Sequence, residues 1–441
     1  MNETITLHPA ERIRGLAVIP GDKSLSHRAF FLSALSNGRC RIENLARGED
    51  IRTTIRVLRQ LGVAITLSPD DESATVDGTS GKFTPPSEPL DCGNSASTMR
   101  LLAGILASQP FESVLIGDES LSRRSMEGLC IPLRMMGAQI ESSENGMPPL
   151  KIRGGQLRGI SHTPADPSAQ VKSAMIMAAL FATGETVIRE SLQTRDHTER
   201  MLFKLKSQGI VAIDRLNKTV TVYGEKLPLP PFEIVIPGDA SSAAYPIAAA
   251  VLLPESSITV PFVGLNPGRI AFFRHLQAMG AQLVMTPDTQ ASTASLGEPV
   301  GDIAAVSTGL RNVPIAPERI PAMIDELPLL AIIGCLADRD WEIRHADRLR
   351  AKETDRISTT VNLLRAIGAE VEEYEDGMGG PGNQTFTGGT VETSGDHRIA
   401  MTAAIAAWCS KSPVTINGAD IVKISYPDFF EKMAQLIEYR Q

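Results

Sequence analysis

The sequence predicts an α/β protein of two domains, each built from three repeated units. Three observations carry this. An apolar helix rich in small residues recurs about every 72 residues. An amphipathic segment closed by glycine recurs at nearly the same interval. A short string near the N-terminus returns once, far down the chain. Self-similarity at a fixed period is the mark of a repeated architecture.

The first element opens with Ser, Asn or Asp and then turns apolar nearly all round, as in Met175-Ile176-Met177-Ala178-Ala179-Leu180. Such a helix must be buried. It starts near Ser24, Ser95, Ser168, Ala240, Asp325 and Asp396, with steps of 71, 73, 72, 85 and 71 residues. The second element ends at Gly62, Gly137, Gly209, Gly280 and Gly368, with steps of 75, 72, 71 and 88. Glycine suits the left-handed position that closes a helix, where other residues meet a Cβ clash. A sixth amphipathic segment, 426–439, closes the chain without the glycine.

The third observation divides the halves. Val18-Ile19-Pro20-Gly21-Asp22-Lys23-Ser24 returns as Val235-Ile236-Pro237-Gly238-Asp239-Ala240-Ser241, 217 residues later, which is close to three periods. One domain therefore comprises residues 1–20 and 240–441 and the other 21–239, with hinges near 20–21 and 237–240 at the two Pro-Gly pairs. At 441 residues the chain exceeds what one hydrophobic core usually serves, in keeping with two domains. A Gly-rich stretch, 377–387, reads as a surface loop.

Composition narrows the function. Hydrophobic residues at 42% and charged residues at 21% describe a globular chain. A net charge of −8 argues against nucleic acid or anionic membranes as partners. The longest apolar runs, such as 327–337, are too short to span a bilayer. Met1-Asn2-Glu3-Thr4-Ile5 lacks the pattern of a signal peptide, and five scattered cysteines form no C-x-x-C pair. These features point to a cytoplasmic protein with free thiols. The seven histidines show no ligand spacing, so no metal site is expected. His27 and His397 read as supporting hydrogen-bonders, and Cys92 as a buried structural thiol.

What remains is an affinity for small anions. Helix N-termini offer unpaired N–H groups and partial positive charge, and so attract phosphate and carboxylate. The polar residues gather at the predicted starts: Lys23, Ser24, His27 and Arg28; Asn94 and Ser95; Ser168 and Gln170; Asp325; Asp396, His397 and Arg398. Arg124, Arg195, Lys352 and Arg356 add cations between them. Ser, Asn and Asp are ordinary caps. Capping does not call for Lys23, Gln170 or Arg398 beside them.

The residues at these places resemble one family. Gly21-Asp22-Lys23-Ser24-Leu25-Ser26-His27-Arg28, Gly93-Asn94-Ser95-Ala96-Ser97-Thr98-Met99-Arg100 and Lys352-Glu353-Thr354-Asp355-Arg356 are similar to signatures of the 5-enolpyruvylshikimate-3-phosphate synthases. Ser168-Ala169-Gln170-Val171-Lys172-Ser173, Arg195-Asp196-His197-Thr198-Glu199 and Gly395-Asp396-His397-Arg398-Ile399-Ala400-Met401 extend the match along nearly the whole chain.

The resemblance implies the enolpyruvyl transferase fold, an inverted α/β barrel-like arrangement with three βαβαββ units per domain and the active site in the cleft between domains. It implies transfer of the enolpyruvyl group of phosphoenolpyruvate to the 5-hydroxyl of shikimate 3-phosphate, without cofactor, by a monomer. Lys23, Ser24, Arg28, Ser168, Ala169, Gln170, Arg195, Asp325 and Lys352 would hold shikimate 3-phosphate. Lys23, Asn94, Ala96, Arg124, Gln170, Arg356 and Arg398 would hold phosphoenolpyruvate. Asp325, Glu353 and Lys23 would be catalytic, with Asp325 and Lys23 both open as the base. Domain closure on substrate binding follows, because the cations come from both halves.

Departures from the family pattern also carry expectations. Ala96 stands where many members have glycine, which implies glyphosate tolerance as in the second class of the family, which Ala169 and Arg195 also resemble. Lys423 is offset from a lysine that some relatives use and receives no role. The related UDP-N-acetylglucosamine transferase commonly carries a cysteine near Arg124, and Ser120-Leu121-Ser122-Arg123-Arg124-Ser125 has none. Gly21-Asp22-Lys23-Ser24 lacks the earlier glycine of a P-loop. A non-catalytic anion-binding relative would need neither Asp325 nor Glu353.

Overall fold

The computed structural model describes residues 3–205 and 209–439, so Met1 and Asn2 lie outside the described residues. The chain forms two compact units. The first gathers Met1–Pro20, Pro237–Ala291 and Pro299–Gln441, and the second gathers Gly21–Ile236 with Ser292–Glu298.

In the second unit the helices Lys23–Ala34, Ala96–Leu106 and Ala169–Ala179 pack against one another and against their sheets. Their burial follows from composition. Leu25 through Ala34 are all buried, and Phe30 and Phe31 are fully enclosed, each worth about 1.5–3 kcal/mol of transfer free energy. Side chains start each helix. Asp22 accepts from the Leu25 amide at 2.9 Å, Ser95 from Thr98 at 3.2 Å and Ser168 from Val171 at 3.4 Å. Three four-stranded sheets flank them, one per repeat. Leu90–Asp91, Glu112–Ile116, Leu150–Arg153 and Gln139–Glu141 are typical, with the first pair parallel and the rest antiparallel. This is a βαβαββ repeat. In the repeat that opens the unit the parallel strand comes from its far end, Glu233–Val235 beside Arg39–Glu43.

The first unit repeats the plan with helices Ala240–Leu252, Leu327–Leu336 and His397–Trp408. Its N-terminal strands join two of its sheets. Thr4–Leu7 pairs with Val414–Asn417, and Ala10–Leu16 lies between Ser257–Gly264 and Ile437–Tyr439. All five glycines, Gly62, Gly137, Gly209, Gly280 and Gly368, have positive φ, and Gly62, Gly137, Gly280 and Gly368 directly follow or close helices.

Three expectations need correction. Only the later part of 377–387 is a surface loop: Gly377–Gly380 is the central strand of a sheet with Trp341–Ile343 and Glu372–Tyr374, while 381–387 is irregular and largely exposed around a fully buried Phe386. The glycines are there for space, since a Cβ on Gly377 would stand 1.8 Å from the Ile343 carbonyl oxygen. Only part of 426–439 is helical: the helix is Phe429–Ala434, and Ile437–Tyr439 is a strand. Finally, Ser292–Glu298 packs with the second unit. Leu296 joins that unit's core, Ser295 donates to the Val235 carbonyl at 2.8 Å, and the Glu298 carboxylate lies 2.9 Å from His197 Nδ1.

Candidate active site

The second unit gathers one cluster at the starts of its three central helices. Lys23, in the first helical turn, reaches Asp50 Oδ2 at 2.8 Å. Arg28, one turn further in, is buried and fully engaged. Its Nε donates to Thr198 Oγ1 at 2.9 Å, Nη1 to the Ser24 carbonyl at 2.9 Å and Nη2 to Ser173 Oγ at 2.8 Å. Burial pushes the Arg28 guanidinium down to about 10, with Glu199 and Asp22 opposing the fall and Arg195 adding to it. The group stays charged at neutral pH. Arg195 sits half-buried in the loop before the helix His197–Leu205, near enough to Arg28 to repel it.

The helix Ala96–Leu106 carries the next members. Asn94 donates to Asp118 Oδ2 at 2.7 Å and accepts from Arg124 Nη2 at 3.4 Å, while Arg124 also donates to Ser120 Oγ at 3.0 Å. Ala96 is buried. At the third helix Gln170 donates to Ser97 Oγ at 2.8 Å and accepts from Arg100. Ser168 caps that helix, and the Ala169 carbonyl accepts from Ser173 Oγ at 2.7 Å. Side-chain bonds thus tie the three helix starts together, and Lys23, Ser24, Arg28, Asn94, Ala96, Arg124, Ser168, Ala169, Gln170 and Arg195 all belong to this unit. Lys172 of the same motif is not free for a ligand, because it is buried between Glu190 at 2.9 Å and Glu199 at 2.7 Å.

The first unit holds a second cluster around Asp325, which lies in the turn before the helix Leu327–Leu336 and does not cap it. Lys352 Nζ stands 3.1 Å from Asp325 Oδ1, Arg356 Nη1 3.4 Å from the same oxygen, and Arg398 Nη2 4.0 Å from Oδ2. Glu353 Oε2 is 2.5 Å from Arg356 Nη2. Arg356 is buried and grips Asp396 with two nitrogens, at 2.7 and 3.2 Å. Burial alone would lower Arg356 and Arg398; Asp396 and Glu353 raise the first, and Asp325 with Tyr245 and Glu326 raises the second. Both are therefore permanent cations. Every first-unit candidate (Asp325, Lys352, Glu353, Arg356 and Arg398) meets in this one cluster.

Several partners here had no role in the sequence reading. Asp50 is the counter-ion of Lys23, Thr198 and Ser173 hold Arg28, Ser97 and Arg100 hold Gln170, and Glu326 faces Arg398; Asp396, already marked as a polar residue at a helix start, holds Arg356. Ser97, Arg100, Ser173 and Thr198 carried a weak signal, lying in the same short motifs as Asn94, Gln170 and Arg195. Asp50 carried none, since its link to Lys23 is tertiary. Among the described residues no group of three or more His, Cys, Asp or Glu could hold a metal ion, and no helix is long and apolar enough to cross a membrane.

The arrangement can bind anions and move protons. Cations held at fixed positions by carboxylates suit phosphate and carboxylate groups, and two carboxylates of unlike surroundings suit an acid and a base.

Known proteins agree with that chemistry. Residues 7–433 match the family described as EPSP synthase (3-phosphoshikimate 1-carboxyvinyltransferase). The 3-phosphoshikimate 1-carboxyvinyltransferase of Koribacter versatilis is 42% identical over 436 residues, which is 99% of this chain and 100% of that protein. The protein of the same name from Shouchella clausii is 42% identical over 439 residues, with 99% and 100% covered. The EPSP synthase of Acinetobacter baumannii superposes with a TM-score of 0.86 at 35% identity over 100% of both chains. The enolpyruvyl transferase NikO of Streptomyces tendae, at 18% identity and a TM-score of 0.79 over 100% of this chain and 99% of its own, shares the fold. The chain belongs to the EPSP synthase family, the 3-phosphoshikimate 1-carboxyvinyltransferases.

Proposed function

We propose that this protein transfers the enolpyruvyl group of phosphoenolpyruvate to the 5-hydroxyl of shikimate 3-phosphate, releasing phosphate, and that the two clusters divide the work as follows. Ser168 and Arg195 hold the phosphate of shikimate 3-phosphate, with Lys23, Ser24, Arg28, Ala169, Gln170, Asp325 and Lys352 around its ring. Arg124, Arg356 and Arg398 take the charges of phosphoenolpyruvate, with Lys23, Asn94, Ala96 and Gln170. Glu353 delivers a proton to C3 of phosphoenolpyruvate, which leaves a cationic centre at C2. The 5-oxygen attacks C2 as Asp325 or Lys23 takes its proton. The tetrahedral intermediate then loses a C3 proton and breaks the bond from C2 to the phosphate oxygen. That restores the double bond and frees phosphate, whose charge the cations accept.

One observation carries this reading: Asp325 lies within 4.0 Å of Lys352, Arg356 and Arg398, and Glu353 shares Arg356 with it. A carboxylate can hold a cation in place for an anion, but a site that only binds anions calls for no acid and base such as Glu353 and Asp325; proton transfer does. The reading includes a monomer in the cytoplasm, where free thiols such as Cys40, Cys92, Cys130 and Cys335 are stable. It also includes tolerance to glyphosate through the methyl group of Ala96.

The test is phosphate release on mixing the protein with both substrates, each omitted in turn. Release that needs both supports the reading. Release with UDP-N-acetylglucosamine in place of shikimate 3-phosphate overturns it.

A further inference from the structure

Two helices of the second unit face each other with matched spacing. Lys23 and His27 lie four residues apart on the helix Lys23–Ala34, and Asp50 and Thr54 lie four apart on the helix Glu49–Gln60. Residues so spaced share a helix face. Lys23 meets Asp50, and His27 Nδ1 meets Thr54 Oγ1 at 2.7 Å. The contact does not stop there. Thr54 Oγ1 lies 2.7 Å from Thr98 Oγ1, and Thr98 Oγ1 donates to Ser95 Oγ at 2.8 Å. His27, Thr54, Thr98 and Ser95 are all fully buried.

Thr98 is placed to donate to Ser95, and the other two links join hydroxyl oxygens and a ring nitrogen that can each give or take the proton. Burial, with Lys23 and Arg28 nearby, holds the His27 pKa well below the usual imidazole value, so the ring is neutral.

The chain ends at Ser95, between Asn94 and Ala96, and Ser95 also caps the helix Ala96–Leu106. The same helix presents Ser97 and Arg100 to Gln170. Apolar packing between helices is non-directional. Hydrogen bonds are not, and this chain is what fixes the first turn of that helix against the one carrying Lys23. We infer that Thr54 is a positioning residue for phosphoenolpyruvate, acting through Thr98 and Ser95 on Asn94 and Ala96, an inference that rests on the substrate assignment above.

The experiment compares the full-length chain with its Thr54→Val and Thr54→Ser variants, varying phosphoenolpyruvate and shikimate 3-phosphate separately. Val keeps the shape and removes the hydroxyl. The expected result is a KM for phosphoenolpyruvate raised roughly tenfold, the size of one buried hydrogen bond in binding. KM for shikimate 3-phosphate should move several-fold less, and Ser should return both to near the starting values. Equal rises in both KM values, no rise in either, or a Ser variant no better than Val overturns the inference. Should Thr54→Val fail to fold, Thr98→Val cuts the chain one link nearer the loop and carries the same expectations. A wild-type chain that releases no phosphate removes the substrate assignment and this inference together. A wild-type chain that turns over, with the variants unaffected, removes the inference alone.

Discussion

Arg356 and Asp396 form a fully buried, two-pronged ion pair, their side chains 1% and 0% exposed and their atoms 2.7 and 3.2 Å apart. Asp396 also caps the helix His397–Trp408 through the Arg398 amide at 2.9 Å. Asn caps almost as well as Asp, so Asp396→Asn tests the charge and not the cap. Removing one partner of a buried pair leaves the other charge uncompensated. The expected cost is about 3 kcal/mol, read as a lower midpoint in urea unfolding. A shift under about 0.5 kcal/mol, the size of an ordinary surface change, would refute it.

The same pair makes stability depend on pH. Burial would raise the Asp396 carboxyl, but Arg356 outweighs it and the carboxyl ends below its ordinary value. A depressed folded pKa favours the folded state above the unfolded value, about 3.9 for aspartate, and that stability is lost as pH falls through the folded value. Wild type should therefore lose stability below about pH 4 more steeply than Asp396→Asn. Parallel acid-unfolding curves for the two proteins would count against the pair.

Asp50 holds Lys23 at 2.8 Å from a neighbouring helix and is itself nearly buried. A bond between charged partners contributes about 1.5–3 kcal/mol, so Asp50→Asn should lower kcat/KM by about ten- to a hundredfold. Stability should change far less, since Asn keeps the shape and one acceptor. Kinetics within twofold of wild type would show that Lys23 finds its position without Asp50.

Gly377→Ala should unfold the sheet around it, because its Cβ would fall 1.8 Å from the Ile343 carbonyl, a backbone atom that cannot step aside. The measurement is the thermal midpoint, with Gly155→Ala as control, where a Cβ meets nothing within 4 Å. Equal midpoints for the two would disprove the steric argument.

That glycine also shows where the sequence was readable. The helix-closing glycines were legible because each follows an amphipathic run whose period shows where the helix ends. Gly377–Gly380 forms a strand with almost no side chains, so it has no alternation to read. The buried helices were legible by burial itself, since Met175 to Leu180 offer no polar face. The excursion of Ser292–Glu298 into the other unit was not, because it depends on His197 and Val235, more than 50 residues away in the chain. The same distinction runs through the site. Lys23, Gln170 and Arg398 stand out as polar residues at helix starts, while Asp50 and Thr54 look like the polar face of any amphipathic helix until folding turns them onto Lys23 and His27.

Ala96 is buried in the first turn of its helix, beside the Ser95 cap. Its methyl group occupies space that glycine would leave open, and glyphosate is bulkier than phosphoenolpyruvate. Ala96→Gly should lower the inhibition constant for glyphosate by tenfold or more, about 1.4 kcal/mol of relieved crowding, with a smaller change in KM for phosphoenolpyruvate. An inhibition constant unchanged by the substitution would mean that tolerance, if measured, lies elsewhere.

Asp325 is the carboxylate on which Lys352, Arg356 and Arg398 converge. Asp325→Asn keeps the hydrogen-bonding shape and removes the charge, so substrate binding should survive better than turnover. General base catalysis supplies typically 10²–10⁴ in rate, and kcat should fall by an amount in that range. The companion Lys23→Met decides between the two candidates for the base. If Asp325 takes the 5-hydroxyl proton, its variant loses kcat with KM for shikimate 3-phosphate within a few-fold, while Lys23→Met shows its main loss in KM, as a binding cation should. The reverse pattern would move the proton transfer to Lys23 and leave Asp325 as the anchor of the cations around it.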